Sequence, residues 1–407
     1  MFRSSKPLVA ACIAALSLAG GLLQAAEEKV SRALEKPLKA ANDAMQAKKF
    51  DEAIAKAKEA QGVEGRNAYD NYVINEILGA SYVRTNKFAE AYQALSANAE
   101  SQFLDPKGKA QRYMALTQLA YTLKQYPETV EWANKAIALG QDTTEMRVLV
   151  AQTNYLQSKF KEAAAAMQEV VARAEKAGQR PTEASLQLLF QCYVKLNDQQ
   201  NQGRVIERLV TYYPKPDYWL NAMITLIQSA HNDDRLLLQV YRLQADVGTM
   251  KRNDQYGEMA KLAVEQGYPG EAVSVLDQAM AKNVFTDARE KAQYGRLLEA
   301  AKKALEQEKQ DVTKSEQEAS KSANGDLLIA VGASYLFNLG DASKATTLIQ
   351  QGIAKGVSKI PLYDAYVTLG LAQAKAKNAA EADKSFGKVD KNDNYERLAK
   401  LWALRVK

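Results

Sequence analysis

INEILGASYVRTNKFAEAYQAL, residues 74–95, reads as two helices joined by a short turn, and it carries a glycine, Gly79, inside the first of them. An interior glycine costs a helix about 0.5–1 kcal/mol relative to alanine. Packing is the reason to keep one there. Two antiparallel helices approach closely only where neither carries a large side chain at the crossing. Gly79 on the first helix and Ala91 on the second provide that gap, with Tyr82 and Phe88 filling the space beside it.

The pattern recurs along the chain. KKFDEAIAKAKEA (48–60), NKFAEAYQAL (86–95), KQYPETVEWANKAIAL (124–139) and SKFKEAAAAMQEVV (158–171) each follow a helix and a short turn. Their anchors Ala53, Ala91, Thr129 and Ala163 are spaced 38, 38 and 34 residues apart, and Gly332 to Gly370 is again 38. Repeats of this length predict a helical solenoid. Composition agrees: the chain is rich in Ala, Leu, Lys, Glu and Gln, the strong helix formers, and no segment shows sustained period-two alternation.

The repeated pattern resembles the tetratricopeptide repeat. Leu78, Gly79, Tyr82, Phe88, Ala91 and Leu95 occupy the family's places in the best repeat; Leu369, Gly370, Ala382 and Phe386 do so in the last. Tyr256, Ala260, Ala272 and Leu276 fill a third, and Gly332, Tyr335 and Ala345 match in 331–349 with one extra residue in the turn. The resemblance implies an all-α, right-handed superhelix of about eight to nine helix pairs, covering most of residues 35–390. NYERLAKLWALRVK (394–407) adds an amphipathic helix placed to cap the last repeat.

The first 26 residues stand apart. MFRSSK is basic, LVAACIAALSLAGGLL is apolar, and QAAEE brings small residues, the layout of a secretory signal peptide cleaved near Ala25-Ala26. Val9-Ala10-Ala11-Cys12 resembles a lipobox, but it lies too close to Lys6, so Cys12 reads as part of the leader. Arg3 and Lys6 are lost with it and no acid is, so the remainder stays mildly basic, without a basic block. Nucleic acid is not an expected partner. Cys192 is then the only cysteine, which precludes an internal disulfide and fits a periplasm. The domain reading is a signal peptide (1–26), a superhelix (27–305), a charged linker or exposed helix (306–324), and C-terminal repeats with the capping helix (325–407).

Little catalytic chemistry is written in the chain. His231, in SAHNDD (229–234), reads as part of a turn in which Asn232 or Asp233 caps the next helix. Cys192 lies within a helix and reads as a small core residue. No phosphate-cradling glycine loop and no G-x-S-x-G or H-E-x-x-H motif is present, and no cofactor or metal is expected. The family's first helices line a concave surface, and there the resemblance places Gln118, Gln152 and Gln191 in successive repeats, with Tyr121 and Tyr155 three residues after the first two. Amides pair with peptide backbone and tyrosines give area with a polar tip. The asparagine-and-lysine clamp for a C-terminal carboxylate is not reproduced: Asn42 fits one position, but Ala80 stands at the next.

The expected function is therefore a non-enzymatic scaffold in the periplasm of a Gram-negative bacterium. It would bind protein or peptide partners of the envelope, with no membrane span after leader cleavage. YYPKPDYWLNAMITL (212–226) and the C-terminal LAKLWALRVK also resemble proteobacterial periplasmic repeat proteins, some of them described as components of TonB-type systems. The alternatives are a cell-wall-polymer hydrolase using groove carboxylates and a periplasmic holdase chaperone.

Overall fold

A computed structural model describes residues 29–406, so the expected leader and Cys12 lie outside the described residues. Within them the chain forms helices joined by short loops, with no strand. The helices pair in sequence order: α1 (Glu35–Gln46) with α2 (Phe50–Gln61), α3 (Ala68–Arg84) with α4 (Phe88–Ala97), α5 (Pro106–Thr122) with α6 (Tyr126–Ala138), and α7 (Thr144–Leu156) with α8 (Phe160–Lys176). Then come α9 (Glu183–Lys195), α10 (Gln199–Tyr212), and the pair α11 (Pro216–Ser229) and α12 (Asp234–Asp246). The pair α13 (Asn253–Glu265) and α14 (Pro269–Ala281) precedes a long α15 (Ala288–Lys321). The chain closes with α16 (Asp326–Phe337) on α17 (Ala342–Lys355), α18 (Leu362–Lys375) on α19 (Ala379–Phe386), and α20 (Asp393–Val406). The protein is an all-α, tetratricopeptide-like array of helical hairpins.

One turn builds most of the hairpins. Lys48, Asn86, Lys124, Ser158, Asn197, Gly267 and Lys377 each follow a first helix with φ between 54° and 81°. The next N–H reaches back five residues: Lys49 to the Ala44 carbonyl (2.8 Å), Lys87 to Tyr82 (2.9 Å), Gln125 to Ala120 (2.8 Å), Lys159 to Asn154 (2.9 Å). The last turn repeats it, Asn378 to Gln373 (2.9 Å). This is the Schellman closure, which satisfies a terminal carbonyl and fixes the chain reversal. Second helices starting from it at Phe50, Phe88, Tyr126 and Phe160 have no side-chain N-cap. First helices begin from longer loops and do: the side chains of Asn67, Asp105, Thr143 and Thr182 accept from Asp70, Gly108, Met146 and Ser185 N–H. The longer inter-repeat loops thus supply caps.

Behind most of the turns the hairpins meet through small residues; after Asn197 the place is taken by Gln202. Ala53, Ala91, Thr129, Ala163, Ala272, Ala345 and Ala382 are all fully buried, each five residues past its left-handed residue, which for Ala345 is Gly340 (φ 73°). Tyr82, Gly79, Gly332 and Gly370 are buried too. The group that Gly79 admits is the Leu95 side chain, not the Ala91 gap expected from sequence: a Cβ on Gly79 would lie 2.4 Å from Leu95 Cδ2. Gly332 faces Ile349 (2.6 Å) and Gly370 faces Phe386 (2.4 Å) in the same way. Where the facing position is Ala57 or Ala133, the first helix carries Ala41 or Thr117, both buried. Bulk on one helix is offset by its absence on the other.

The chain divides into two compact units at 202/203. In the first, a continuous core runs from Leu34 and Leu38 through Ile74, Tyr82 and Leu95 to Leu116, Met146 and Val150. In the second, the segment 306–324 forms no break. It is helical to Lys321, and buried Val312 and Ala319 pack with Leu328, Val331 and Leu348. Glu316 is fixed by Tyr335 (2.9 Å) and Lys344 (2.6 Å). The boundary expected near 305 therefore falls inside α15, whose N-terminal half buries Tyr294, Leu298 and Ala301 with α13 and α14 residues.

The second unit closes on itself. α20 buries Tyr395, Leu398, Leu401 and Trp402 and packs on α18 and α19, as a cap would, but also on α11 and α12. Arg405 reaches Asp246 (2.6 Å). At the opposite seam the Asn338 amide accepts from Gly270 N–H (2.9 Å) and donates to the Gly267 carbonyl (3.2 Å). The backbones there are so close that a Cβ on Gly270 would lie 2.4 Å from the Asn338 carbonyl oxygen. Arg242 lies under the Phe337 ring, 3.6 Å from its centroid, and pairs bidentately with Glu271 (2.8 and 2.7 Å).

Candidate binding groove

The first helices of the first unit carry the candidate site. Gln118 on α5, Gln152 on α7 and Gln191 on α9 each stand six residues before the left-handed turn residue of their hairpin. They therefore occupy one register position. Gln118 and Gln152 are half-buried and Gln191 is exposed. α7 and α9 touch directly.

The tyrosines of the pattern do more than face outward. Tyr121 lies 6.3 Å from the Tyr126 ring, and Tyr155 lies edge-on to Phe160 at 5.3 Å. Each thus packs on the first aromatic of its own second helix, and burial raises the Tyr121 hydroxyl pKa. Sequence reasoning missed the apolar residues that are exposed at this level. Leu156, one residue past Tyr155, is 52% exposed, and Val194, at the Tyr155 position of α9, is 41% exposed. Their signal was present: two apolar side chains at the ends of successive first helices, with no core assignment. Amides flanked by aromatic edges and open aliphatic surface suit a chain that offers both backbone and side chains.

Toward the start of the unit, α3 and α5 meet through a buried polar junction that the sequence did not disclose. Arg112, 4% exposed, pairs with Glu76 and donates to the Leu95 carbonyl (3.2 Å). Asn98 donates to both Glu76 (2.8 Å) and the Tyr72 carbonyl (2.8 Å). Burial, then the Glu76 charge, pushes the Tyr72 hydroxyl up to about 12. Tyr69, Tyr72 and Phe103 form a three-ring cluster beside it.

Other ionisable groups are consumed by architecture. Asp142 holds Arg147 (2.6 Å) and Arg173 (2.7 Å), whose hydrogen bonds depress its pKa. Asp70 accepts from Ser31 backbone and hydroxyl. Asp326 accepts from the N–H groups of Ile360 (3.0 Å), Lys359 (3.1 Å) and Ser358 (3.1 Å) and from the Ser358 hydroxyl (2.7 Å), which lower its pKa to about 2. Cys192 is fully buried, and burial pushes its thiol up to about 11, away from thiolate chemistry. His231 lies in the 3-10 turn Ala230–Asn232, and Asp233 caps α12 through Leu236 N–H (3.0 Å). Among the described residues no group of three or more His, Cys, Asp or Glu is placed to hold a metal ion. No described helix is long and apolar enough to cross a membrane.

No protein-family model matches the sequence, and no curated protein does. Solved structures similar to it include a tetratricopeptide repeat protein from Parabacteroides merdae, 11% identical, over 84% of this chain and 100% of that one, with a TM-score of 0.32. Another is the pentatricopeptide repeat protein PPR10 from maize, 13% identical, over 90% and 61%, with a TM-score of 0.30. A third is yeast Tom70, 11% identical, over 92% and 95%, with a TM-score of 0.25. Scores this low carry no argument. The tetratricopeptide-like class rests on the turn and packing register of the chain itself.

Proposed function

We propose that this chain is an exported envelope scaffold that binds an extended polypeptide along the α5–α7–α9 face. The observation that carries the reading is the register of Gln118, Gln152 and Gln191, flanked by the open Leu156 and Val194. Helix-borne amides at one repeated position give an extended strand evenly spaced backbone partners, and the aliphatic surface beside them accepts its side chains. Export rests on the leader-like composition of residues 1–26. The tie to TonB-type systems rests on the loose likeness of residues 212–226 and of the C-terminal residues.

Position-specific photo-crosslinking in intact cells tests it. A photoreactive residue at Leu156 or Gln191 should trap a discrete protein partner. The same group at Gln168, exposed on α8, should not. Equal adducts from all three positions, or adducts from Gln168 alone, would place recognition elsewhere.

A further inference from the structure

Where α12 meets α18, a buried amide is only half used. Gln239 is 3% exposed, and its Nε2 donates to Asp364 Oδ1 (3.2 Å). Its Oε1 is buried with no partner among the described residues. An ionised carboxylate accepts only and cannot supply the missing donor, whereas a protonated carboxyl has one O–H to give. A carboxylic acid and a primary amide are complementary: N–H to carbonyl on one side, O–H to carbonyl on the other. We propose that Asp364 is held as the neutral acid, closed in a two-bond ring with Gln239, and that the pair is a proton-operated clasp between α12 and α18.

The surroundings fit this assignment. On the α12 side stand Asp233, Arg235 and Arg242; Tyr268 and Glu271 come from the start of α14, Tyr363 from α18 and Tyr395 from α20. Arg242 favours the ionised form, but its guanidinium is matched bidentately by Glu271. Arg235 also favours it, from an exposed position where water screens its charge. The start of α18 adds a helix dipole in the same direction. Against these stand the Asp233 carboxylate and, above all, burial, and the net effect raises the Asp364 pKa. The sign follows. A carboxyl that binds its proton more tightly when folded contributes most below the unfolded value of about 3.9. That contribution is lost as pH rises through the folded value. Losing the proton leaves a half-buried carboxylate beside an unsatisfied amide oxygen, and the clasp loosens.

Asp364→Asn separates this from a simple buried ion. A carboxamide reproduces both hydrogen bonds of the ring and cannot titrate. Full-length protein and this variant would be melted across about pH 4 to about pH 9, from close to the unfolded carboxyl value upward. The parent should lose melting temperature as pH rises. The variant should lose less and should match or exceed the parent at the alkaline end. Infrared spectra of the parent should show a buried carboxylic-acid C=O band that bleaches with rising pH, is absent from Asp364→Asn, and shifts in Gln239→Leu. Equal pH slopes in parent and variant, a variant less stable at every pH, or no such band in the parent would overturn the proposal. The band is read on the unaltered protein, so its absence would overturn the proposal even if neither variant folds.

Discussion

At the scale of single residues, the repeat is a set of mutual exclusions, and these make sharp predictions. Gly79→Ala would set a Cβ against Leu95 and should destabilise by about 1–3 kcal/mol through overpacking. Leu95→Ala alone should lose about 2–5 kcal/mol through the cavity it leaves. Combined, the two should cost less than their sum, because the new methyl enters the vacated space; strict additivity in denaturant titrations would refute the contact. Ser158 makes the opposite prediction. It holds φ 59° with no glycine to ease it, and it is exposed. Ser158→Gly should raise stability by about 1 kcal/mol, checked by thermal melting. Asp326 gives a pH signature. Its folded pKa is depressed to about 2, so its contribution is complete above the unfolded value and is lost as pH falls from about 4 toward 2. Melting curves of Asp326→Asn should converge on the parent at the acid end of that window and separate above it.

At the scale of the element, legibility tracked how local the determinants are. The hairpins could be read because a turn residue, an alanine five residues on and an aromatic lie within a dozen positions of one another. The partner of Gly79 could not be chosen, because Ala91 and Leu95 share a helical face and only coordinates say which one meets the glycine. The Glu76–Arg112 pair was equally hidden: opposite charges 36 residues apart look like ordinary surface charge until two first helices are set side by side. The tyrosines of the groove were half legible. They share one position in their hairpins, but the rings lean on Tyr126 and Phe160, so removing them costs fold as well as surface. α15 is the clearest case. From Glu306 to Ser322 one large apolar residue, Val312, is diluted among charges, and that residue with Ala319 anchors the half-helix. Val312→Asp should therefore expose this half to proteolysis and speed amide exchange there while leaving the Tyr294 half protected. Uniform exchange along α15 in the parent would show that the anchor does not hold.

At the scale of the whole molecule, each unit has its own logic. In the first, hairpins bury their faces on sequence neighbours, the arrangement that makes stability nearly additive along an array. In the second, α20 also binds α11 and α12, helices that precede it by well over a hundred residues, and nothing local announces that pairing. Deleting residues 393–407 should accordingly accelerate amide exchange in α12 as well as in α18 and α19. A loss confined to α18 and α19 would mean that α20 acts as a simple end cap. The surface pair Arg405–Asp246 should add little, since exposed ion pairs contribute about 0–1 kcal/mol. The buried Leu398, Leu401 and Trp402 should account for the effect.

Closure also limits how such a chain can change by gene duplication. Copying one hairpin inside residues 29–202 adds another copy of the same turn and the same small-residue crossing, so the array can lengthen or shorten without new chemistry. The same event between α14 and α16 would displace Asn338 from Gly267 and Gly270, Phe337 from Arg242, and Asp364 from Gln239 together. Related chains should accordingly differ in repeat number before residue 202 and hold it constant after.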